Sequence, residues 1–262
     1  MIKVQNSYLL YFTTSTIFAL VLVLLSCSKE TGEQATPPIT SIPLEIMQSF
    51  PLDILEPSGL AHGWNTDEFL VVSDNSNSVF RIHKDGSIIE ELSFRGDDLE
   101  GVSYQESGKF IWVAEERLKK LVKLNKNGDV LKEYPLDYDN SSSNKGLEGV
   151  SVNTKNNHVY ALNEYSPGLL LEFFDGALIN SFDLDFAQDY SGLYVDVEAQ
   201  EIWILSDESR SIYQCDLTGK PINTYSHNID QLEGLIVNAN LKQFWVCSDS
   251  QNTLYQLKIK NL

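Results

Sequence analysis

The sequence predicts an all-β fold, a five-bladed β-propeller with four antiparallel strands per blade, and three observations carry that prediction. The first is a recurring motif. Leu99-Glu100-Gly101-Val102-Ser103 returns as Leu147-Glu148-Gly149-Val150-Ser151 and as Leu232-Glu233-Gly234-Leu235-Ile236. Looser copies stand at Pro57-Ser58-Gly59-Leu60-Ala61 and Tyr190-Ser191-Gly192-Leu193-Tyr194. The motif glycines lie 42, 48, 43 and 42 residues apart, a period typical of solenoids, propellers and arrays. The second observation is the order inside each repeat. Fifteen residues after each glycine stands an acid: Asp74, Glu116, Glu164, Asp207 and Asp249. Large apolar residues stand four positions before it (Leu70, Trp112, Tyr160, Trp203, Trp245) and six after it (Phe80, Val122, Leu170, Tyr213, Tyr255). The third is turn chemistry: Asp85-Gly86, Asn127-Gly128 and Asp175-Gly176 are strong hairpin dipeptides between short apolar runs.

Bulk composition agrees. With 262 residues and 42% hydrophobic content, the chain can bury one large all-β core. Its formal charge of −18 argues against nucleic acid, whose phosphates need Lys and Arg, and against electrostatic docking on anionic lipid. It suits cations or cationic ligands.

Taken in order, residues 1–27 read as an export signal. Lys3 gives the positive end, Tyr8 to Leu25 is mostly apolar, and Leu24-Leu25-Ser26-Cys27 closes it like a bacterial lipobox. Cleavage there makes Cys27 the lipidated first residue. Ser28 after the Cys, by resemblance to known lipoproteins, favours the outer membrane. The expected location is the cell envelope, with contact to membrane through the lipid anchor alone. Residues 28–42 carry no apolar period and read as a flexible tether. The propeller domain spans 43–262.

Within that domain each repeat supplies four short strands. In the second repeat these are Gly101–Tyr104, Phe110–Glu115, Lys120–Leu124 and Val130–Tyr134. The last repeat runs out after three strands. The segment from Leu44 to Leu52 resembles the fourth-strand segments, such as Ala177 to Leu184, and is expected to complete the last blade and close the ring. Cys215 and Cys247 lie in apolar strand-like runs and read as buried free thiols rather than a disulfide pair. Trp112, Tyr160, Trp203 and Trp245 read as core between blades. His62, His83, His158 and His227 share no repeat position and no metal spacing.

The chemistry lies in the register. The acid one residue before the glycine and the acid fifteen residues after it should meet at the same end of a blade. Glu100, Glu148 and Glu233 should then converge on the axis, with Asp74, Glu116, Glu164, Asp207 and Asp249 around them. Two such charges about 6 Å apart at an effective dielectric of about 20 repel by roughly 3 kcal/mol. The cluster must therefore protonate, pair with Arg117 or Arg210, or bind a hard cation, for which calcium suits carboxylate ligands. Glu100, Glu148, Glu233, Glu116, Glu164 and Asp207 are the candidate metal ligands. Duplication would also copy a carboxylate that only bonds loop amides, so the recurrence alone does not choose. The glycines are expected to allow a tight turn into the inner strand.

Asp98-Leu99-Glu100-Gly101-Val102-Ser103-Tyr104 followed by Val113-Ala114-Glu115-Glu116-Arg117 resembles the SdiA-regulated family of bacterial exported proteins. So do Gly146 to Val150, Tyr190 to Leu193 and Leu205 to Arg210. The resemblance covers residues 43–262. It implies a five-bladed propeller distantly similar to NHL-repeat proteins, with a calcium site and no established activity. It names no ligands, and Ser58 and Ser191 depart from a symmetric ring of five Glu. The functional expectation is a monomeric, calcium-binding binding or scaffold module of the envelope, with a small molecule or an envelope protein as partner. The alternative is a calcium-dependent lactonase- or esterase-like hydrolase at the channel mouth, as in related six-bladed propellers. No His falls in the acid register to serve as its base.

Overall fold

In the computed structural model, described residues are 40–138, 146–165 and 167–261. The export signal, Cys27 and the tether up to residue 39 lie outside them. Among the described residues there is no helix.

Strand β1 is Ile42–Pro51. One sheet holds β2 (Pro57–His62), β3 (Glu68–Ser73), β4 (Ser78–His83) and β5 (Ile88–Arg95) in that order. A second holds β6 (Leu99–Gln105), β7 (Phe110–Glu115), β8 (Lys120–Leu124) and β9 (Val130–Pro135). A third holds β10 (Leu147–Asn153), β11 (His158–Asn163), β12 (Gly168–Phe174) and β13 (Ala177–Leu184). The remaining strands are β14 (Leu193–Asp196), β15 (Glu201–Ser206), β16 (Ser211–Cys215), β17 (Pro221–Ser226), β18 (Leu232–Asn238), β19 (Gln243–Ser248) and β20 (Thr253–Ile259). They form one sheet ordered β14-β15-β16-β17-β1-β20-β19-β18. Its join is slight: β1 meets β17 in parallel only at Ile42↔Tyr225 and Pro43↔Ser226. Against β20 it pairs antiparallel from Leu44↔Ile259 to Pro51↔Thr253. The segment that resembles a fourth strand therefore lies along the last one, covering an edge that would otherwise offer free amides.

Each sheet is a meander because the chain turns where its residues allow a left-handed backbone. Gly86, Gly128, Gly176 and Gly219 all have φ of +81° to +89° in the hairpins before the fourth strands, a region closed to most side chains.

The core sits between sheets. Trp112, Ala114 and Leu121 of one sheet pack with Leu147, Val150, Ala161 and Leu171 of the next. Tyr160 and Leu170 continue into Val195, Ile202 and Tyr213. Trp203 and Leu205 meet Leu235, Phe244 and Leu257. Trp245 and Cys247 meet Leu60, Phe69 and Phe80. The aromatic period is thus core, as its spacing implies. Trp203, fully buried, holds side-chain burial worth about 3–5 kcal/mol against truncation to Ala. Cys215 and Cys247 are free and buried.

Four-stranded antiparallel meanders packed face to face around inner strands β2, β6, β10, β14 and β18 make this a β-propeller. The motif glycines serve that ring differently from the sequence expectation. None has a positive φ, so no turn requires them. A Cβ on Gly101 would lie 2.5 Å from the Glu148 carbonyl oxygen, one on Gly149 2.6 Å from the Leu193 amide, and one on Gly192 2.4 Å from the Glu233 carbonyl oxygen. On Gly234 it would meet the Leu60 amide at 2.5 Å, and on Gly59 the Glu100 carbonyl oxygen at 2.8 Å. The glycines are there because inner-strand backbones touch near the axis, leaving no room for a methyl.

Candidate functional site

The inner strands do not alternate evenly. Their pairing shifts between Pro57 and Gly59, Leu99 and Gly101, Leu147 and Val150, and Leu232 and Leu235. Each shift is a β-bulge at the motif, and a bulge re-aims a side chain at a strand end. The shifts span the residues before the glycine at Ser58, Glu100, Glu148 and Glu233, whereas Ser191 precedes β14, whose pairing with β15 runs without a shift. Ser58, Glu100, Glu148, Ser191 and Glu233 all line one cavity of about 240 Å³.

The rest of the lining comes from the acids that follow the second strands, Asp74, Glu116, Glu164 and Asp249, and from Asp189. Among the six candidate ligands, five therefore line this cavity. Asp207 does not; its Oδ1 accepts the Leu232 amide at 3.3 Å. Oxygens of Glu116, Glu148 and Glu164 lie within 4.8 Å of one another, and so do those of Asp74, Asp98 and Glu100. Glu233 belongs to neither triplet.

Asp98 and Asp189 were not singled out by the sequence, although both occupy the position three before a motif glycine. Asp98 has φ +60°, and its carbonyl accepts the Glu116 amide at 2.9 Å. Asp189 caps the neighbouring loop: it accepts the Ser206 hydroxyl, the Asp207 amide at 3.2 Å and the Glu208 amide at 3.0 Å. The Ser206 contact repeats elsewhere. Ser73 donates to the Leu55 carbonyl at 2.6 Å and Ser248 to the Asp230 carbonyl at 2.8 Å. A buried hydroxyl at the end of the second strand thus ties down the segment that leads into the first.

The arginines are engaged elsewhere. Arg117 pairs with Asp97 at 2.6 Å and Asp98 at 3.0 Å; Arg210 pairs with Asp230 at 2.5 Å and bonds Asn228 at 2.9 Å. Neither reaches the buried glutamates. Among the described residues, no Lys, Arg or His lines the cavity. Glu148 is 9% exposed and has no hydrogen bond or ion pair among the described residues. The Oδ1 atoms of Asp74 and Asp249 are likewise buried without a partner.

Electrostatics follow from that isolation. Burial, then the charges of Asp74, Glu116, Asp98 and Asp249, holds Glu100 well above the usual carboxylate range. Burial, then Glu100, Glu233, Glu116 and Glu164, does the same to Glu148. Glu233 is raised by burial and then by Glu100, Asp207, Asp189 and Asp249. Burial lifts Asp74 to about 6 and Glu116 to about 7, the latter against the pull of the Gly146 amide at 2.7 Å. All these carboxyls favour the proton because burial penalises their charge and their neighbours are other acids.

Below this cavity the channel narrows. Leu60, Val102, Val150, Leu193 and Leu235, one residue after the motif glycines, surround a waist of only about 10 Å³. Beyond it lies a smaller hollow of about 120 Å³, lined by polar and apolar groups alike, that includes His62, Tyr104 and Tyr194. The acidic cavity is therefore a cup open on one face.

A β-propeller with a blind acidic cup on its axis is the class that fold and site define. The particular family follows from the motifs that build the cup: the chain belongs to the SdiA-regulated family, whose family model matches residues 47–258. Among solved structures it is similar to Myxococcus xanthus glutaminyl cyclase, with a TM-score of 0.67 and 11% identity over 85% of this chain and 98% of that one. At that identity the likeness concerns the fold. A β-propeller domain from Myceliophteria thermophila matches at a TM-score of 0.49 and 10% identity, over 79% of this chain and 65% of that one.

Proposed function

We propose that the acidic cup is a calcium site and that the protein is a binding module of the cell envelope, held to the membrane by lipid on Cys27. One observation carries the calcium reading: Glu148, buried and without a partner among the described residues, faces Glu116 and Glu164 in a cavity whose described lining holds no cationic side chain. The residues fit the ion. Every donor is a hard oxygen, and oxygens within 4.8 Å of one another can share a cation that takes ligands at about 2.3–2.6 Å. Glu116, Glu148 and Glu164 would hold it. The second triplet, Asp74, Asp98 and Glu100, and the nearby Glu233 supply further negative charge. Bound calcium would supply a fixed positive charge at the base of the cup, able to orient an anionic or carbonyl oxygen.

The blade count belongs to the same reading. We take the eight-stranded sheet as two blades bridged at β1, which makes five in all. The glycine contacts that run from Gly59 to Gly101, Gly149, Gly192, Gly234 and back to Leu60 support that count. Binding rather than hydrolysis is favoured because, among the described residues, no histidine, serine–histidine pair or lysine lines the cup.

The test is calorimetric titration of chelator-treated protein with calcium, in parallel with thermal melts. Saturable binding and a calcium-dependent rise in Tm are expected, since a ligand at 100 times its Kd adds about 2.7 kcal/mol. Glu148→Gln should abolish the response and leave the protein folded. A flat titration would overturn the calcium site. Palmitate labelling that survives Cys27→Ala would overturn the anchor.

A further inference from the structure

A different feature stands out when the repeats are compared with one another. The third strand of every sheet carries one polar residue directly across from the aromatic or leucine of the second: Arg81, Lys123, Glu172, Gln214 and Gln256. Four of these have polar partners on flanking strands. Arg81 pairs with Glu68 at 3.3 Å and Glu90 at 2.8 Å. Glu172 accepts from Tyr160 at 2.5 Å and Asn180 at 2.6 Å and contacts His158 at 2.6 Å. Gln214 donates to Glu201 at 2.7 Å and accepts from Asn223 at 2.9 Å. Gln256 donates to Gln243 at 3.1 Å.

Lys123 is the exception. Phe110 stands where the other repeats place Glu68, His158, Glu201 and Gln243, and Lys132 stands where they place Glu90, Asn180 and Asn223. Its half-buried ammonium has no hydrogen bond or ion pair among the described residues. Instead it lies 3.7 Å from the Phe110 ring centroid and 5.2 Å from that of Trp112. An aromatic face attracts a cation but accepts no hydrogen bond, so the charge is only partly compensated. Burial accordingly lowers the Lys123 pKa. The nearest counter-charge, Asp175, is 79% exposed and paired with Lys132 at 3.5 Å.

The missing acceptor coincides with a cavity of about 420 Å³, larger than the acidic cup and within the range of small-molecule sites. One wall is rigid. Trp112 stacks on Tyr134 with centroids 5.4 Å apart, and its Nε1 donates to Gln105 at 3.1 Å. Gln105 is itself held by Asn157 at 3.0 Å. Phe174, half-exposed, lines the cavity from the next sheet.

We propose that this cavity is a second ligand site, for a small organic acid whose carboxylate pairs with Lys123 while its ring lies against Trp112, Tyr134 and Phe174. The ligand supplies the acceptor that the other four repeats carry in their own strands. The site is separate from the acidic cup and does not depend on calcium.

The probe is 2-naphthoate, which joins a carboxylate to a flat apolar body, with 2-naphthalenemethanol as the uncharged control. Binding is read by calorimetry and tryptophan fluorescence on the full chain. Naphthoate should bind saturably and at least tenfold more tightly than the alcohol. Lys123→Met removes the charge at similar volume and should weaken naphthoate at least tenfold without affecting the alcohol. Phe110→Glu restores the internal acceptor of the other repeats and should weaken naphthoate as much. Melting curves verify that each variant is folded, and Phe110→Glu decides alone if Lys123→Met fails to fold. Naphthoate no tighter than the alcohol, no saturable binding at millimolar concentration, or full affinity retained in Phe110→Glu would overturn the proposal.

Discussion

The two halves of the central channel are built from the same inner strands, yet they are chemical opposites. One residue before the motif glycine the chain places Glu100, Glu148 and Glu233 with Ser58 and Ser191; one residue after it stand Leu60, Val102, Val150, Leu193 and Leu235. A step along the backbone separates carboxylates facing the cup from an apolar waist. The bulge at the motif makes that possible, because it releases the preceding residue from strict alternation while the next resumes the ladder. The contrast teaches that one register position decides the chemistry: the narrow apolar waist lies behind the acids, and the cup is open on the other side.

The largest expected effect breaks the waist. Val150→Asp sets a carboxylate with no partner at a position 1% exposed. It should cost about 4 kcal/mol or more, seen as a large drop in the urea midpoint, whereas Glu148→Gln, two residues earlier in the same motif, should be tolerated. Second comes the boundary itself. Gly101→Ala forces a methyl to 2.5 Å from the Glu148 carbonyl and should cost about 1–3 kcal/mol by the same measurement.

Third is the pH response of the acidic half. The folded state raises Asp74 from 3.8 to about 6 and Glu116 from 4.5 to about 7, so it holds more protons than the unfolded chain between those limits. The stabilisation these carboxyls contribute is therefore fully present below about pH 4 and is lost as pH rises through 6 and 7. Glu100, Glu148 and Glu233, raised further, extend the loss above that window. Melts in chelator should show Tm declining from pH 5 to 8. In Glu148→Gln the decline should be shallower, with Tm at pH 8 about 3 °C above the parent, roughly 1 kcal/mol for a domain of this size. An equal slope in both proteins would mean that repulsion in the cup is not felt.

The smallest effect concerns Arg117. Its side chain is 59% exposed and serves Asp97 and Asp98 at the rim. Arg117→Ala should change stability by less than about 1 kcal/mol and leave the slope with pH nearly intact, because the arginine does not reach the buried glutamates.

Much of this was legible from spacing. The strands β7 and β8 match their expected limits residue for residue, and the segment from Leu44 onward lies along β20. The convergence of Glu100, Glu148 and Glu233 with Glu116 and Glu164 also follows from counting strands. Asp98 and Asp189 escaped, although their position three before the glycine recurs as Glu56 and Gln231, three of these residues, Glu56, Asp98 and Gln231, having positive φ. Their signal was a polar position rather than one residue type. Asp207 fits the spacing but its carboxylate is taken by a backbone amide, which no count of residues reveals.

By itself the sequence determined the period, the limits of β7 and β8, the turns and the end of the sheet at which the acids gather, because each depends on residues close in the chain or on simple alternation. Only the tertiary structure decided why the glycines are needed, which acids lack a counter-ion, and that the channel is closed below them. Those depend on backbones from different repeats meeting at the axis: Gly101 against Glu148, Gly192 against Glu233, Gly234 against Leu60. Such contacts lie about one whole repeat apart or join opposite ends of the chain. They arise only when the ring of sheets closes and the inner strands are pressed together.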